Sequence, residues 1–320
     1  MRHEIYSDPE QCRQIWEKVW PAKGIFDLWQ VRFCFHEAYL NPLQFHTIEN
    51  GGSIQGFLPL SWNEDSDKFV FFPGETWKGK TWLEQNRVVA ENHEVFKILL
   101  DAVPSSLHLR YLSWDSILKG DHHVREDEIG YHFYPGMYDY LFENYWLGFS
   151  GKSRKKIRNE FAKLESQRLT FRFNKIKDLE HMFAMNQKAF ANDSYFDDPR
   201  FYNAFDRLAS FLSEMGMLRI VTILVGGKIA AVDMGGIFNN TYTLFAGGTN
   251  AEFPGIAKII NLHHMEWSCQ QRFDMVDFLC GDFNWKKRFH LSPMPLYEIS
   301  INKAVTQFKW SSHEKEALCA

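Results

Sequence analysis

Residues 217–246 hold three apolar runs separated by two turn signals, Gly226-Gly227 and Asn239-Asn240. Turn pairs of this kind between apolar stretches fold consecutive strands into an antiparallel meander. The sequence then changes period: 255–273 reads as a helix, 275–280 as a short buried strand, 282–289 as a short helix and 296–301 as a closing strand. A helix between two strands is long enough to cross back over the sheet, so the strand at 275–280 is expected to run parallel to its neighbour. Upstream, a helix at 152–167 and a strand at 169–176 precede helices at 179–191 and 199–215. The last of these carries Phe201, Phe205, Leu208 and Leu212 at spacings of three and four. This order predicts an α/β (mixed α+β) fold, a mixed sheet flanked by helices on both faces.

The first half is read as strands at 45–49, 54–60 and 68–72 around Asn50-Gly51-Gly52, a helix at 91–102 and a strand at 107–112. The polar stretch 116–127 is expected to be a surface loop. Eight of the eleven tryptophans fall before residue 150. They either fill a sheet-rich core with large rings or line an aromatic groove for a flat or sugar-like acceptor. A chain of 320 residues suits two domains, each of about 150 residues. A net charge of −4 argues against whole-surface attraction to DNA or anionic membrane, so phosphate binding has to come from a local basic patch. The five cysteines form no C-x-x-C pair, which fits a reducing, cytoplasmic setting better than a disulfide framework or a zinc site. The first residues lack the apolar core of a signal peptide. No run approaches the roughly 18 apolar residues of a membrane span.

Three stretches carry a resemblance. One is Ser150-Gly-Lys-Ser-Arg-Lys-Lys-Ile-Arg158 leading to Lys163-Leu164-Glu165. The second is Gly226-Gly-Lys-Ile-Ala-Ala231, and the third is Phe278-Leu-Cys-Gly-Asp282 followed by Trp285-Lys-Lys-Arg-Phe289. With the element order, they make residues 20–305 resemble the GNAT acyltransferase superfamily. The branch resembled is the FemAB-like one, in particular its CelD/BcsL-type (BioF2-like) acetyltransferases. The resemblance implies tandem GNAT-like (acyl-CoA N-acyltransferase) domains: a degenerate one at 1–145, a catalytic one at 146–310 and a polar tail at 311–320. It further implies transfer of an acyl group from a thioester donor, acetyl-CoA or another acyl-CoA or an acyl carrier protein. The acceptor is an amine or hydroxyl of a sugar-, peptide- or lipid-like molecule, such as an envelope or polysaccharide precursor. Two alternatives stay open, an aminoacyl-tRNA-dependent FemAB-like transferase and an inactive GNAT-like scaffold.

The resemblance places the donor at a turn where the fourth strand enters the long helix. Free N–H groups and the positive end of the helix dipole suit an anion there. The donor-binding candidates are Gly247, Gly248, Pro254, Gly255, Ile256, Ala257 and Lys258. Glu252 stands where the family carries Arg or Gln, and a carboxylate there repels pyrophosphate. A Pro-Gly helix start without a ligand is the plainer reading.

Lys152, Arg154, Lys155, Lys156 and Arg158 crowd the first turns of a helix, where the dipole disfavours cations. Of these, Lys152, Lys156 and Arg158 are expected either to meet an anionic acceptor, a lipid headgroup or a tRNA stem, or to be merely solvated. The catalytic candidates follow or lie in buried strands: Asp282 as base or helix cap, Lys286 as oxyanion or phosphate holder, and Asp277 and Asp233 as further carboxylates. Trp285, Lys287 and Arg288 are expected to touch substrate. His263 is read as a core histidine, and His264 and His122-His123 as lacking carboxylate or cysteine companions at metal spacing. No metal is expected. Cys280 is read as core.

Overall fold

The computed structural model describes residues 1–281 and 283–303. Asp282 and the expected tail at 311–320 therefore lie outside the described residues. In chain order the elements begin β1 (Arg2–Tyr6), α1 (Pro9–Val19), α2 (Trp29–Tyr39), β2 (Leu43–Asn50), β3 (Ser53–Asn63) and β4 (Lys68–Phe71). Next come β5 (Val89–Ala90), α3 (His93–Ala102), β6 (Leu107–Leu112), β7 (Val124–Phe133), α4 (Phe142–Leu147) and α5 (Gly151–Glu165). Then follow β8 (Leu169–Phe173), α6 (Leu179–Phe190), α7 (Pro199–Glu214), β9 (Leu218–Val225), β10 (Lys228–Phe238) and β11 (Thr241–Thr249). The series closes with α8 (Ile256–Gln271), β12 (Met275–Cys280), α9 (Asn284–Arg288) and β13 (Ser292–Ile301). Four helices start on a side-chain cap that satisfies an otherwise orphaned N–H: Asp8 for α1, Asn92 for α3, Ser150 for α5 and Asp198, followed by Pro199, for α7.

The chain divides into two compact units, one built mainly from 1–129 with 295–303 and the other from 130–202 with 206–294. In the first unit the strand order is β1-β2-β3-β4-β6-β13, with β5 beside β3. The β2–β3 hairpin turns at Gly51 and Gly52, both at positive φ, as the Asn-Gly-Gly signal requires. Gly56 is the seat of α3: a Cβ there would lie 2.6 Å from Val95 Cγ1, so any side chain would push the helix off the sheet. The tryptophan-rich half fills its core with rings. Trp16, Trp20 and Trp29 pack with Phe45, Phe57 and Phe72, and Trp16 stacks on Trp20 at 4.3 Å. The polar stretch expected to be a loop at 116–127 instead enters β7 at Val124. Two of its three consecutive acids are held there by pairing, with Arg110 bridging Asp127 and Glu128.

The second unit orders its strands β7-β12-β11-β10-β9-β8. All neighbours are antiparallel except β11 and β12, the parallel pair expected from the crossover helix. The two turns foreseen at 226–227 and 239–240 both form with left-handed residues. The face under α8 buries Val221, Ile223, Ala231, Ile256, Ile259 and Ile260, joined by Leu164 of α5. α6 packs on β10 and β11.

Candidate active site

Strands β11 and β12 begin side by side and then part. Their pairing covers only Thr241↔Met275, Tyr242↔Val276 and Thr243↔Asp277. Beyond that point β11 continues to Thr249 along β10 alone, while β12 turns towards β7 and meets it again at Cys280↔Gly130. Two irregularities drive the parting. The β10–β11 ladder shifts register between Met234 and Gly235, which leaves Phe245 as an extra residue. At the other side β12 kinks, with Leu279 at φ 57° and Gly281 at φ 100°. The result is a wedge whose β11 edge, from Leu244 to Thr249, faces no paired strand among the described residues. Unpaired ladder groups of this kind need other partners. One is already met, since Asn186 Nδ2 of α6 donates to Gly247 O at 3.1 Å, and Ser194 Oγ holds Asn186 Oδ1 at 2.8 Å.

Beside this edge lies a buried polar chain. Asp233 of β10 is directly opposite Gly247 of β11. Its Oδ2 is 3.0 Å from His264 Nε2 of α8, and His264 Nδ1 is 3.2 Å from Tyr242 Oη. A carboxylate only accepts, so His264 Nε2–H donates to Asp233, while His264 Nδ1 and Tyr242 Oη share the second hydrogen bond. His264 and Tyr242 are wholly buried. Burial pushes the Tyr242 phenol far above its usual range, with the nearby Asp233 carboxylate adding to the rise. Asp233 Oδ1, by contrast, accepts no hydrogen bond among the described residues, and a Cβ on Gly247 would fall 2.2 Å from it. Gly248 is equally constrained on the other side, where a Cβ would meet Met182 O at 2.6 Å. The Gly247-Gly248 pair is thus required by the carboxylate on one face and the α6 backbone on the other.

The end of β12 is held by Lys286. Its Nζ donates to the carbonyls of Phe278, Leu279 and Cys280 at 2.9, 2.8 and 2.7 Å, and it sits 5.2 Å over the Tyr131 ring. An ammonium has three donors, so this cation is tied to carbonyls where the strand leaves the ladder. Asp277 is buried, accepts from Leu279 N at 2.8 Å and lies 3.6 Å from His132 Nε2, supporting the same kink. Asp282, the residue singled out first by sequence, lies outside the described residues. Trp285 packs edgewise on Phe278 and Phe289, Arg288 Nε donates to Asn284 O, and Lys287 and Arg288 are exposed.

At the start of α8, Gly255 takes the left-handed conformation at φ 95°. The turn satisfies part of itself: Ile256 N donates to Phe253 O and Lys258 N to Gly255 O. Pro254 and Ala257 are exposed. Lys258 Nζ is bound to Glu160 Oε2 at 2.6 Å, and that same oxygen lies 3.4 Å from where a Gly255 Cβ would stand. Glu252, exposed nearby in sequence, lies 3.8 Å from Lys228 Nζ, so this helix start carries two carboxylates, each paired with a lysine. On α5, Lys152, Lys155 and Lys156 are exposed and have no ion-pair partner among the described residues, whereas Arg158 lies 5.9 Å over the Trp146 ring.

Two histidine readings change. The core histidine of α8 is His264, and it does have a carboxylate companion, Asp233, 31 residues away in sequence. His263 faces outward beside Phe171, half-buried, with Nε2 enclosed and without a hydrogen-bond partner. Asp121 adds a carboxylate beside His122 and His123, the ligand atoms of all three lying within 4.8 Å of one another. Sequence reasoning missed Asn186, Tyr242 and the His264–Asp233 pair. Their only signal was a charged residue inside an apolar strand.

Residues 151–287 match the family described as "Acetyltransferase (GNAT) domain". No curated protein matches the sequence. Among solved structures the chain is similar to FemX, with a TM-score of 0.59 at 10% identity over 94% of this chain and 98% of that one. It is similar to L-PGS from Bacillus licheniformis at a TM-score of 0.56 and 12% identity, covering 98% and 96%. A tandem GNAT protein from the clavulanic acid biosynthesis pathway gives a TM-score of 0.51 at 10% identity, covering 95% of this chain and 100% of that one. The fold is therefore tandem GNAT-like. The family match is confined to residues 151–287, and FemX, L-PGS and the tandem GNAT protein share the fold of nearly the whole chain. No helix among the described residues is long and apolar enough to cross a membrane.

Proposed function

We propose that the second unit is an acyltransferase in which the wedge between β11 and β12 receives the donor's arm and Asp233 accepts the proton of the attacking group. The observation that carries this reading is the Asp233 carboxylate. One oxygen is fixed by His264 and Tyr242 behind it, and the other is unpaired beside the open strand edge. An amine or hydroxyl attacks the acyl carbonyl while Asp233 Oδ1 takes its proton. The tetrahedral oxyanion then collapses, the bond from carbonyl carbon to sulfur (or ester oxygen) breaks, and the leaving thiolate or alkoxide takes the proton back from Asp233, restoring its carboxylate. Backbone N–H groups along the β11 edge are the nearest candidates to hold the oxyanion. Lys286, bound to three carbonyls, keeps the strand end in shape for the wedge.

The open edge suits an extended arm bearing amides, which pairs with it as an added strand would. A thioester on a pantetheine-type arm, from acyl-CoA or an acyl carrier protein, has that chemistry. Glu160 engages Lys258, which is therefore not free to meet a pyrophosphate at the α8 start, and this favours a carrier-protein arm over CoA itself at Gly255, Ile256 and Ala257. A second reading is favoured by the unpaired Lys152, Lys155 and Lys156. A tRNA-borne aminoacyl ester would be met by that basic helix.

Acyl transfer from acetyl-CoA, an acyl carrier protein and an aminoacyl-tRNA should be followed with a panel of amine and hydroxyl acceptors. The first reading expects turnover with a thioester, lost in Asp233→Asn and kept in the Lys152→Gln, Lys155→Gln, Lys156→Gln triple variant. Turnover only with aminoacyl-tRNA, lost in the triple variant, establishes the second. Transfer unaffected by Asp233→Asn removes the assigned base.

A further inference from the structure

Apart from the wedge, the second unit contains a cleft of about 560 Å³ that the transfer chemistry does not use. Three helices each turn one stripe into it: Phe142, Glu143 and Trp146 of α4, Ile157, Arg158 and Phe161 of α5, and Ile259, Leu262 and Glu266 of α8. Its volume is within the roughly 300–1,000 Å³ typical of small-molecule sites. Its walls are mainly rings and aliphatic chains, with Phe171 and His263 closing one side in a stack at 4.5 Å. Spacing of three and four on all three helices is the pattern by which helices normally bury one another. Here the stripes instead enclose a space.

The charges around that space do not cancel. Glu143, Glu165 and Glu266 line it against a single cation, Arg158, which lies over Trp146 and makes no ion pair among the described residues. None of the three carboxylates has a salt-bridge or hydrogen-bond partner among the described residues. Burial, and then the neighbouring Glu143 carboxylate, push Glu266 above its usual range, so the two acids work on each other without a cation between them. His263 does not supply one, because burial, with His264 and Arg219 nearby, lowers it to about 3 and leaves the ring neutral. Its enclosed Nε2 is a polar atom in the cleft wall with no partner.

We infer that this cleft binds an organic ammonium ion with an apolar body, the cation between Glu143 and Glu266 and the body against Trp146, Phe161 and Leu262. Aromatic faces and carboxylates together favour a cation and reject an anion of the same shape. The inference stands independently of the transfer reading, since no residue of the wedge takes part.

Titration calorimetry on the full chain with n-octylammonium, n-octanoate and n-octanol compares one chain length with three head groups. n-Octylammonium should bind at least tenfold more tightly than n-octanol, and n-octanoate not measurably. The Glu143→Gln, Glu266→Gln double variant changes two exposed side chains and should lose at least tenfold in ammonium affinity while keeping its thermal midpoint. Leu262→Trp, which fills the space, should remove binding of both n-octylammonium and n-octanol. Binding of n-octanoate as tight as that of n-octylammonium, ammonium affinity untouched by the double variant, or no ammonium binding by the folded protein would each overturn the inference.

Discussion

In the first unit Asp27 and Arg32 are buried among tryptophans, and each arm ends on a partner. Arg32 donates through Nε, Nη1 and Nη2 to Phe26 O, Phe72 O and Asn86 Oδ1, each at 2.7 Å. Asp27 accepts from Trp20 Nε1 and from the backbone of Lys23 and Gly24. In the second unit Asp233 is buried to a similar degree, but its chain through His264 to Tyr242 is closed at one end only. Buried polar groups without partners are costly, so a fully satisfied network serves structure, while one left open at a single oxygen invites a ligand. That difference is the ground for proposing the chemistry in the second unit and a supporting role for the first.

The comparison breaks most readily at Asp233. Asp233→Asn should lower transfer by about a thousandfold, within the range for loss of a general base, with the thermal midpoint little changed. A small loss of rate would put the open oxygen outside the reaction. Arg32→Met should do the reverse, costing about 3 kcal/mol of stability by denaturant titration because its partners are left buried and unmet. Its rate per folded molecule should be unaltered. Gly247→Ala sharpens the contrast from the strand side. Its Cβ would collide with Asp233 Oδ1 at 2.2 Å, and about 2 kcal/mol of stability should be lost along with most of the activity, as overpacking generally costs.

The smallest effect concerns acid. In the first unit His46 is buried, and burial, with His3 and Lys303 adding positive charge, lowers it to about 3 from 6.5. Burial alone lowers His36 to about 4. Both are neutral in the folded protein and bind protons more readily when unfolded. Their contribution is therefore complete above about pH 6.5 and is lost as pH falls towards their folded values. His46→Asn should flatten the fall in stability between pH 6.5 and 5.5 by about 1 kcal/mol. An unchanged slope would mean that His46 is not held neutral.

What was legible in sequence was local. The turns at 226–227 and 239–240, the α3 and α8 periodicities and the parallel return of β12 follow from chemistry within a few residues of each element. β7 was not legible, because its first half reads Val124-Arg125-Glu126-Asp127-Glu128, and only Arg110 across the sheet makes such a strand tolerable. In the site, Asp233 stood out as a charge in an apolar strand, but its partner His264 is on another element. The sequence pointed to His263 as the core residue because both histidines follow the same stripe. The parting of β11 from β12 depends on a register shift and a kink, neither of which has a composition signature.

The central claim is tested most directly by a crystal structure of the protein with a non-hydrolysable acyl-pantetheine, and in parallel with an aminoacyl-adenosine that mimics the end of a charged tRNA. The account predicts the arm of one of them lying along Leu244–Thr249 of β11, with its carbonyl carbon positioned so that an attacking nitrogen or oxygen reaches Asp233 Oδ1. Saturating ligand bound elsewhere, with the wedge empty or filled by protein side chains, would contradict it.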